Sequence, residues 1–154
     1  MSLWFAASSV APQLATRWSL DPNEVGWLTT IVQFGFVCGA GGAAVLNLAD
    51  VIPSRWYFSG AAVLGAIANA GVAFTNHYSV ALALRFATGF ALAGVYPPAM
   101  KMAATWFRAR RGLAIGTVVG ALTIGKATPY LVHAVPSASA RGVILTASAC
   151  ALAG

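Results

Sequence analysis

Charged residues are scarce in this sequence. Only 8% of its 154 residues are charged, whereas 59% are hydrophobic. A soluble domain carries about 25% charged residues, because its surface must stay hydrated. The scarcity therefore excludes an ordinary soluble domain and places the chain among the integral membrane proteins.

Acidic residues and cysteines are rarer still. Three Asp and Glu stand against nine Lys and Arg, which gives a formal net charge of +6. The cations are scattered and form no basic face, so the excess does not predict binding of nucleic acid. Cys38 and Cys150 lie in separate apolar stretches without a CxxC spacing. Neither a metal site nor a redox pair is predicted, and no cofactor is expected.

Apolar stretches are long enough to cross a bilayer, whose hydrocarbon core of about 30 Å needs about 20 helical residues. They predict four full spans, numbered helices 2 to 5, at residues 25–46, 56–76, 79–107 and 112–135. Two shorter stretches, 3–16 and 142–154, are expected to be the second half of a first helix and the start of a sixth. A secretory signal is not favoured for the former, because no Lys or Arg precedes Arg17. The predicted fold is an all-α polytopic membrane protein, with this chain as a fragment.

The connecting loops differ in their content of Lys and Arg. Loops 47–55 and 108–111 together hold four of these residues, whereas the alternate loops 17–24, 75–78 and 136–141 hold two. Cytoplasmic loops carry the excess of positive residues. The first set is therefore predicted to be cytoplasmic, in a multi-pass protein of the inner cell membrane.

Three cations lie inside predicted spans, and no Asp or Glu does. Lys101 is near the inner end of its span, which leaves Arg85 and Lys126 at membrane depth. At 1.5 Å per residue Arg85 lies ~9 Å below the outer end of its helix, and Lys126 and Gln33 lie ~12 Å below theirs. Cations and an amide at one depth favour a site for an anion. Three alternatives stay open. Arg85 could bond backbone carbonyls or an acid elsewhere, Lys126 could extend to the interface, and Gln33 could join helices.

Prolines interrupt two of the predicted spans. Pro97 and Pro98 fall in helix 4 and Pro129 in helix 5. A proline inside a helix removes a backbone hydrogen bond, so kinks are predicted at these positions. In transporters such breaks often lie near the binding site, although a purely structural kink is the alternative.

Pairs of glycines spaced four residues apart occur in two of the spans. Gly35 and Gly39 form one such pair in helix 2, and Gly116 and Gly120 form another in helix 5. Glycines with this spacing let the backbones of two membrane helices approach closely. The spacing therefore permits a close helix contact at each pair, and it is common in multi-span proteins.

The order of spans and several motifs resemble the N-terminal half of the major facilitator superfamily. The loop 47–55 resembles that family's loop motif, with Asp50 in the acidic place and Arg55 in the last basic place. R-F-A-T-G at 85–89 resembles the family's Arg-x-x-x-Gly motif, and residues 96–116 are similar to a stretch found in many bacterial members.

The resemblance implies part of the N-terminal six-helix bundle of a secondary transporter. In this family helices 1, 2, 4 and 5 line the cavity, which implies substrate-binding or coupling roles for Gln13, Gln33, Arg85 and Lys126. It implies that the loop of Asp50 and Arg55 takes part in gating. The implied partners are the lipid bilayer, a small solute and a C-terminal half of the same chain.

Other functions are weighed against transport. A non-transport membrane protein, such as a sensor or an assembly subunit that reuses the fold, is the principal alternative. An enzyme is not expected, because the spans contain no acid pair, HExxH or GxSxG.

Overall fold

A computed structural model describes residues 2–107, 111–133 and 140–153. Within these residues the chain forms helices and no strand, so the predicted all-α fold is confirmed. The helices are α1 (Ser2–Ser9), α2 (Ala11–Trp18), α3 (Pro22–Val45), α4 (Leu48–Val51), α5 (Ser54–Phe74), α6 (Tyr78–Leu92), α7 (Tyr96–Trp106), α8 (Arg111–His133) and α9 (Ala140–Ala153).

Several of these helices are long enough to cross a membrane. By length and composition α3, α5 and the continuous stretch of α6 with α7 (Tyr78–Trp106) qualify. Helix α8 has 23 residues, which corresponds to a length of about 35 Å. The protein is therefore a multi-pass membrane protein whose helices contact lipid.

The fourth span is divided where the sequence contains Pro97 and Pro98. Helix α6 ends at Leu92, residues 93–95 form a turn, and α7 begins immediately before the two prolines. In the turn the N–H of Gly94 donates to the carbonyl of Ala91 at 2.9 Å, which is the tighter three-residue pattern. Proline lacks an N–H and crowds the preceding turn, so the α-helical ladder cannot continue unchanged through this segment.

The helix around Pro129 differs from the fourth span. Helix α8 is assigned continuously from Arg111 to His133 and therefore passes through this position. The side chain of Pro129 lies outside those that the structure describes. The kink predicted there stays a prediction.

The first two loops are shorter than the sequence pattern predicts. Helix α2 extends to Trp18 and α3 begins at Pro22, because Pro22 suits the first helical position and the N–H of Asp21 donates to the Glu24 carboxylate at 2.9 Å. In the next loop the short helix α4 follows Asn47, whose φ of 48° is left-handed. Because α5 begins at Ser54, the loop ends before Arg55.

Helix α6 lies between α3 and α5 and packs against both, while α9 packs against α5 and α1, and α8 packs against α1 and α7. The contact between α3 and α6 is made by backbone atoms. A Cβ atom added at Gly35 would lie 2.2 Å from the carbonyl oxygen of Phe86, and one added at Gly89 would lie 2.0 Å from that of Val32. A Cβ atom added at Gly39 would lie 2.6 Å from the carbonyl oxygen of Phe90, so the close approach that the first glycine pair permits is observed.

The second glycine pair makes no such contact within the described part of the chain. A Cβ atom added at Gly116 or Gly120 would meet no described atom within 4 Å. The close approach that this pair permits is therefore not observed among residues 2–107, 111–133 and 140–153. This face of α8 is open in the described structure.

Candidate functional site

The guanidinium of Arg85 lies in the middle of the helix bundle and is completely buried, with 0% of the residue exposed. Its Nη2 donates to the carbonyl oxygen of Trp4 at 2.7 Å, and its Nη1 donates to that of Leu3 at 3.1 Å. Its Nε donates to the carbonyl oxygen of Leu28 at 3.3 Å. One side chain of α6 therefore binds the backbones of α1 and α3. Of the two alternatives to an anion site, bonding to backbone carbonyls is the one observed.

The local sequence explains why the backbones come within reach of Arg85. One turn after it, Gly89 allows α3 to approach α6 until backbone atoms touch. One turn before it, Ala81 is completely buried, and its small side chain allows the neighbouring helix to pack closely. On the side of α1, the indole of Trp4 packs against Phe36 of α3 with 5.2 Å between ring centroids. These contacts surround the guanidinium with protein.

The positive charge of Arg85 is not neutralised by a carboxylate of this chain. The sequence contains three acidic residues, Asp21, Glu24 and Asp50, and all three lie at helix ends or in a loop. Glu24 accepts the N–H of Asp21 at 2.9 Å. Carbonyl dipoles satisfy the N–H groups of an arginine but leave its net charge in place.

The other predicted site residues lie apart from this cluster or outside the described side chains. Gln33 is exposed on α3, where a helical period of 3.6 residues turns it about 140° from Leu28, which contacts Arg85. Gln13 is half-buried on α2. The backbone of Lys126 belongs to α8, but its side chain is not among those described. The structure therefore does not bring Gln33 to Arg85.

A second polar cluster connects the loop after α3 to α7. The Nζ of Lys101 donates to Oδ1 of Asp50 at 2.7 Å, and both side chains are largely accessible to solvent. The hydrogen bond from Lys101, and then its positive charge, hold the pKa of the Asp50 carboxyl below the ordinary value of 3.8. The ion pair therefore joins α4 to the distal half of the divided fourth span.

The basic residue of the loop motif makes a different contact. Arg55 lies in the first turn of α5 and is exposed. Its guanidinium carbon lies 5.7 Å from the centroid of the Trp56 ring, which is within the range of a cation–π interaction. The two motif residues thus have separate partners, Lys101 for Asp50 and Trp56 for Arg55.

Comparison with known proteins identifies the family. The model of the family described as "Major Facilitator Superfamily" matches residues 1–153. The chain belongs to the major facilitator superfamily. A curated relative, the niacin transporter of Acinetobacter baylyi, is 33% identical over 97 residues, which cover 62% of this chain and 21% of the relative. No solved structure matches the chain.

The major facilitator motifs pointed to Asp50 and Arg85 but not to their partners. In the sequence, Lys101 is a cation near the inner end of the fourth predicted span and belongs to neither the loop motif nor the Arg-x-x-x-Gly motif. The signal that could have paired it with Asp50 is their opposite charge at the same side of the membrane in adjoining elements. The carbonyl groups of Leu3, Trp4 and Leu28 carried no signal, because every residue has a carbonyl. Only the packing of the helices selects the ones that Arg85 reaches.

Proposed function

We propose that this chain is part of a secondary transporter that moves a small organic anion across the inner membrane by alternating access. The observation that carries the proposal is the buried cation of Arg85, which is bonded to carbonyls and not paired with an acid of this chain. Transport is driven by an ion gradient or by exchange. A second six-helix bundle, from a C-terminal half of the same chain, completes the pathway.

The size of the electrostatic effect supports an anion. Two opposite charges ~10 Å apart attract each other by about 1.7 kcal/mol at an effective dielectric constant of about 20. This energy corresponds to a preference of roughly 17-fold over a neutral molecule of the same shape. Arg85 therefore needs no direct contact with the solute to select it. In this proposal Arg85 positions α1 and attracts the solute by its positive charge, while Gln13 and Lys126 are the candidate contacts.

The named relative supports the same class of solute. The matched protein is a niacin transporter, and niacin is a pyridine monocarboxylic acid that is ionised at neutral pH. An aromatic or heteroaromatic monocarboxylate is therefore the first class of solute to test. Its negative carboxylate would be attracted by the positive charge of Arg85, whereas the corresponding amide is neutral and would not be.

The ion pair between Asp50 and Lys101 is proposed to take part in gating. It joins the loop after α3 to α7 at the side of the membrane that the count of Lys and Arg predicts to be cytoplasmic. An exposed ion pair is weak, so it can break and form again during each cycle at little cost. This property suits a contact that is present in one state of the transporter and absent in the other.

The experiment measures uptake of radiolabelled nicotinate and of nicotinamide by cells expressing the reading frame that contains this chain. Nicotinamide is the neutral amide of nearly the same shape. We expect uptake of nicotinate only, and a loss of at least about tenfold in Arg85→Gln, because the field of the cation is removed. Arg17→Gln is the matched control, since Arg17 is an exposed arginine that donates to Asn76.

The outcomes separate the proposed function from its alternatives. Equal uptake of nicotinate and nicotinamide, or wild-type uptake by Arg85→Gln, would contradict selection by the buried charge. Uptake of neither solute, nor of benzoate as a second monocarboxylate, would favour a non-transport membrane protein. Amounts of each variant in the membrane, measured by immunoblot, distinguish loss of transport from loss of the protein.

A further inference from the structure

A large apolar groove runs along the outside of the bundle, over α6 and between α3 and α5. Its volume is about 860 Å³ and it is open along one side. Its floor is formed by residues of α6, among them Phe90 and Gly94, and one wall by Trp56, Gly60 and Leu64 of α5. Neither Arg85 nor the residues whose carbonyls it binds line the groove.

The length of the groove matches one leaflet of a bilayer. Along α5 the lining extends from Trp56 to Ala68, which is about 18 Å at 1.5 Å per residue. One leaflet contributes about half of a hydrocarbon core of about 30 Å. The groove therefore begins at one membrane surface, where α5 starts, and extends about 5 Å past the middle of the bilayer.

The lining is apolar and accessible. Trp56 is 66% exposed, Leu64 65% and Ile67 62%. Large side chains with this exposure are accommodated by hydrocarbon and not by water. The glycines Gly42 and Gly60 leave the space between the walls open, because a Cβ atom at either would meet nothing within 4 Å.

The surface end of the groove carries a positive charge that no described acid neutralises. The guanidinium of Arg55 lies 5.7 Å from the centroid of Trp56, which lines the groove. Asp50, the acidic residue of the adjoining loop, is bonded to Lys101. A guanidinium donates two parallel hydrogen bonds to a phosphate group, whose geometry it matches.

We propose that this groove binds an anionic phospholipid of the leaflet at which α5 begins. One acyl chain lies in the groove along α5 and α6, and the headgroup phosphate accepts hydrogen bonds from Arg55. The match of length to one leaflet accounts for the acyl chain, and the cation beside Trp56 accounts for the preference for a negative headgroup. The site is distinct from the proposed solute pathway and does not depend on it.

The test uses fluorescence quenching in lipid nanodiscs that contain the full chain. Phosphatidylglycerol with bromine atoms on the upper part of one acyl chain is compared with phosphatidylcholine brominated at the same positions and at the same mole fraction. The contribution of Trp56 is the difference between the wild-type protein and Trp56→Phe. The contribution of Trp106, obtained in the same way from Trp106→Phe, is the matched control, because Trp106 is 86% exposed but does not line the groove.

We expect brominated phosphatidylglycerol to reach half-maximal quenching of Trp56 at a mole fraction about fivefold lower than the choline lipid does. This ratio is the contribution of about one basic residue near an anionic surface. Arg55→Gln should abolish the preference. Gly60→Leu, and independently Gly42→Leu, should lower quenching by both lipids, because a leucine side chain occupies the groove. Gly41→Leu is the control, since Gly41 also has open space but does not line the groove.

Three results would overturn the proposal. Equal quenching of Trp56 by the two lipids would mean that only bulk lipid covers the groove. Unchanged quenching in both Gly60→Leu and Gly42→Leu would mean that the acyl chain lies elsewhere. Protection of Trp56 from both lipids would mean that a second copy or another part of the protein fills the groove. Circular dichroism of each variant verifies that its helical content is retained.

Discussion

The contact between α3 and α6 offers a direct test of the packing. Helix α6 approaches α3 at Gly35 and Gly89, where an added Cβ atom would lie 2.2 Å and 2.0 Å from backbone carbonyl oxygens of the other helix. Real Cβ contacts are essentially never shorter than 3.0 Å. A single methyl group, introduced as Gly35→Ala or Gly89→Ala, should therefore force the two backbones about 1 Å apart, because neither carbonyl can move independently of its helix.

The energetic cost follows from this displacement. A gap of about 0.5–1 Å removes a quarter to a half of the dispersion energy of the atoms on either side. Overpacking of a well-packed interior typically costs about 1–3 kcal/mol. Alanine also forms helices more readily than glycine by about 1 kcal/mol, which opposes the loss. The matched control Gly41→Ala has the second effect alone, because a Cβ atom at Gly41 meets nothing within 4 Å.

The assay is reversible unfolding in mixed micelles with an increasing fraction of sodium dodecyl sulfate, followed by tryptophan fluorescence. Relative to Gly41→Ala, the free energy of unfolding of Gly35→Ala and Gly89→Ala should be lower by about 1–3 kcal/mol. If either variant were as stable as Gly41→Ala, the two backbones could not be in contact. The arrangement of Arg85, which depends on that contact, would then be wrong as well.

Two further predictions concern polar contacts. Lys101→Met should raise the pKa of Asp50 toward its ordinary value, because the hydrogen bond and the charge that lower it are lost; carboxyl ¹³C chemical shifts measure this. The stabilisation by the pair should be present above about pH 4 and lost as the pH falls through the depressed pKa of Asp50, and a stability that does not change there in the wild type would contradict the contact. Asn69 is fully buried on α5 and its Nδ2 donates to the hydroxyl of Ser148 on α9 at 3.0 Å. Asn69→Leu should lower the free energy of unfolding by about 0.6–1.7 kcal/mol. Adding Ser148→Ala to this variant should lower the free energy of unfolding little further. If the losses of the two single variants added up in the double variant, the two side chains would not interact.

Sequence patterns predicted the class of fold because membrane spans depend on apolar length alone. Residues 25–46 contain no charged residue, so they can lie in lipid. In lipid such a single stretch must form a helix, because the helix provides all of its backbone hydrogen bonds. The close contact at Gly35 was predictable for a related reason, since small residues are what helix contacts in membranes require. The same pattern at Gly116 leads to no described contact. A glycine pair permits an approach but does not supply the opposing helix.

The candidate site was less predictable than the fold. The depth of Arg85 and the absence of acids in the spans could be read from the sequence, and both point to an unusual charge. Its hydrogen-bond partners could not be read, because Leu3 and Leu28 contribute only backbone carbonyls. Gln33 shows the converse difficulty. Depth alone placed it level with the cations, but its position around the helix, which depends on how α3 is rotated, turns it away.

The partners of Arg85 also bear on how the protein is made. Leu3, Trp4 and Leu28 all precede Arg85 in the chain, so they leave the ribosome first. An arginine at the centre of a membrane-spanning helix opposes insertion by the translocon by about 3 kcal/mol, and one nearer the end, as Arg85 is, opposes it by less. The carbonyls of α1 and α3 lower this free-energy cost only if those helices are already in the membrane beside the translocon when α6 is inserted. We therefore expect α6 to insert more readily when α1 and α3 have been synthesised before it than when it is expressed alone.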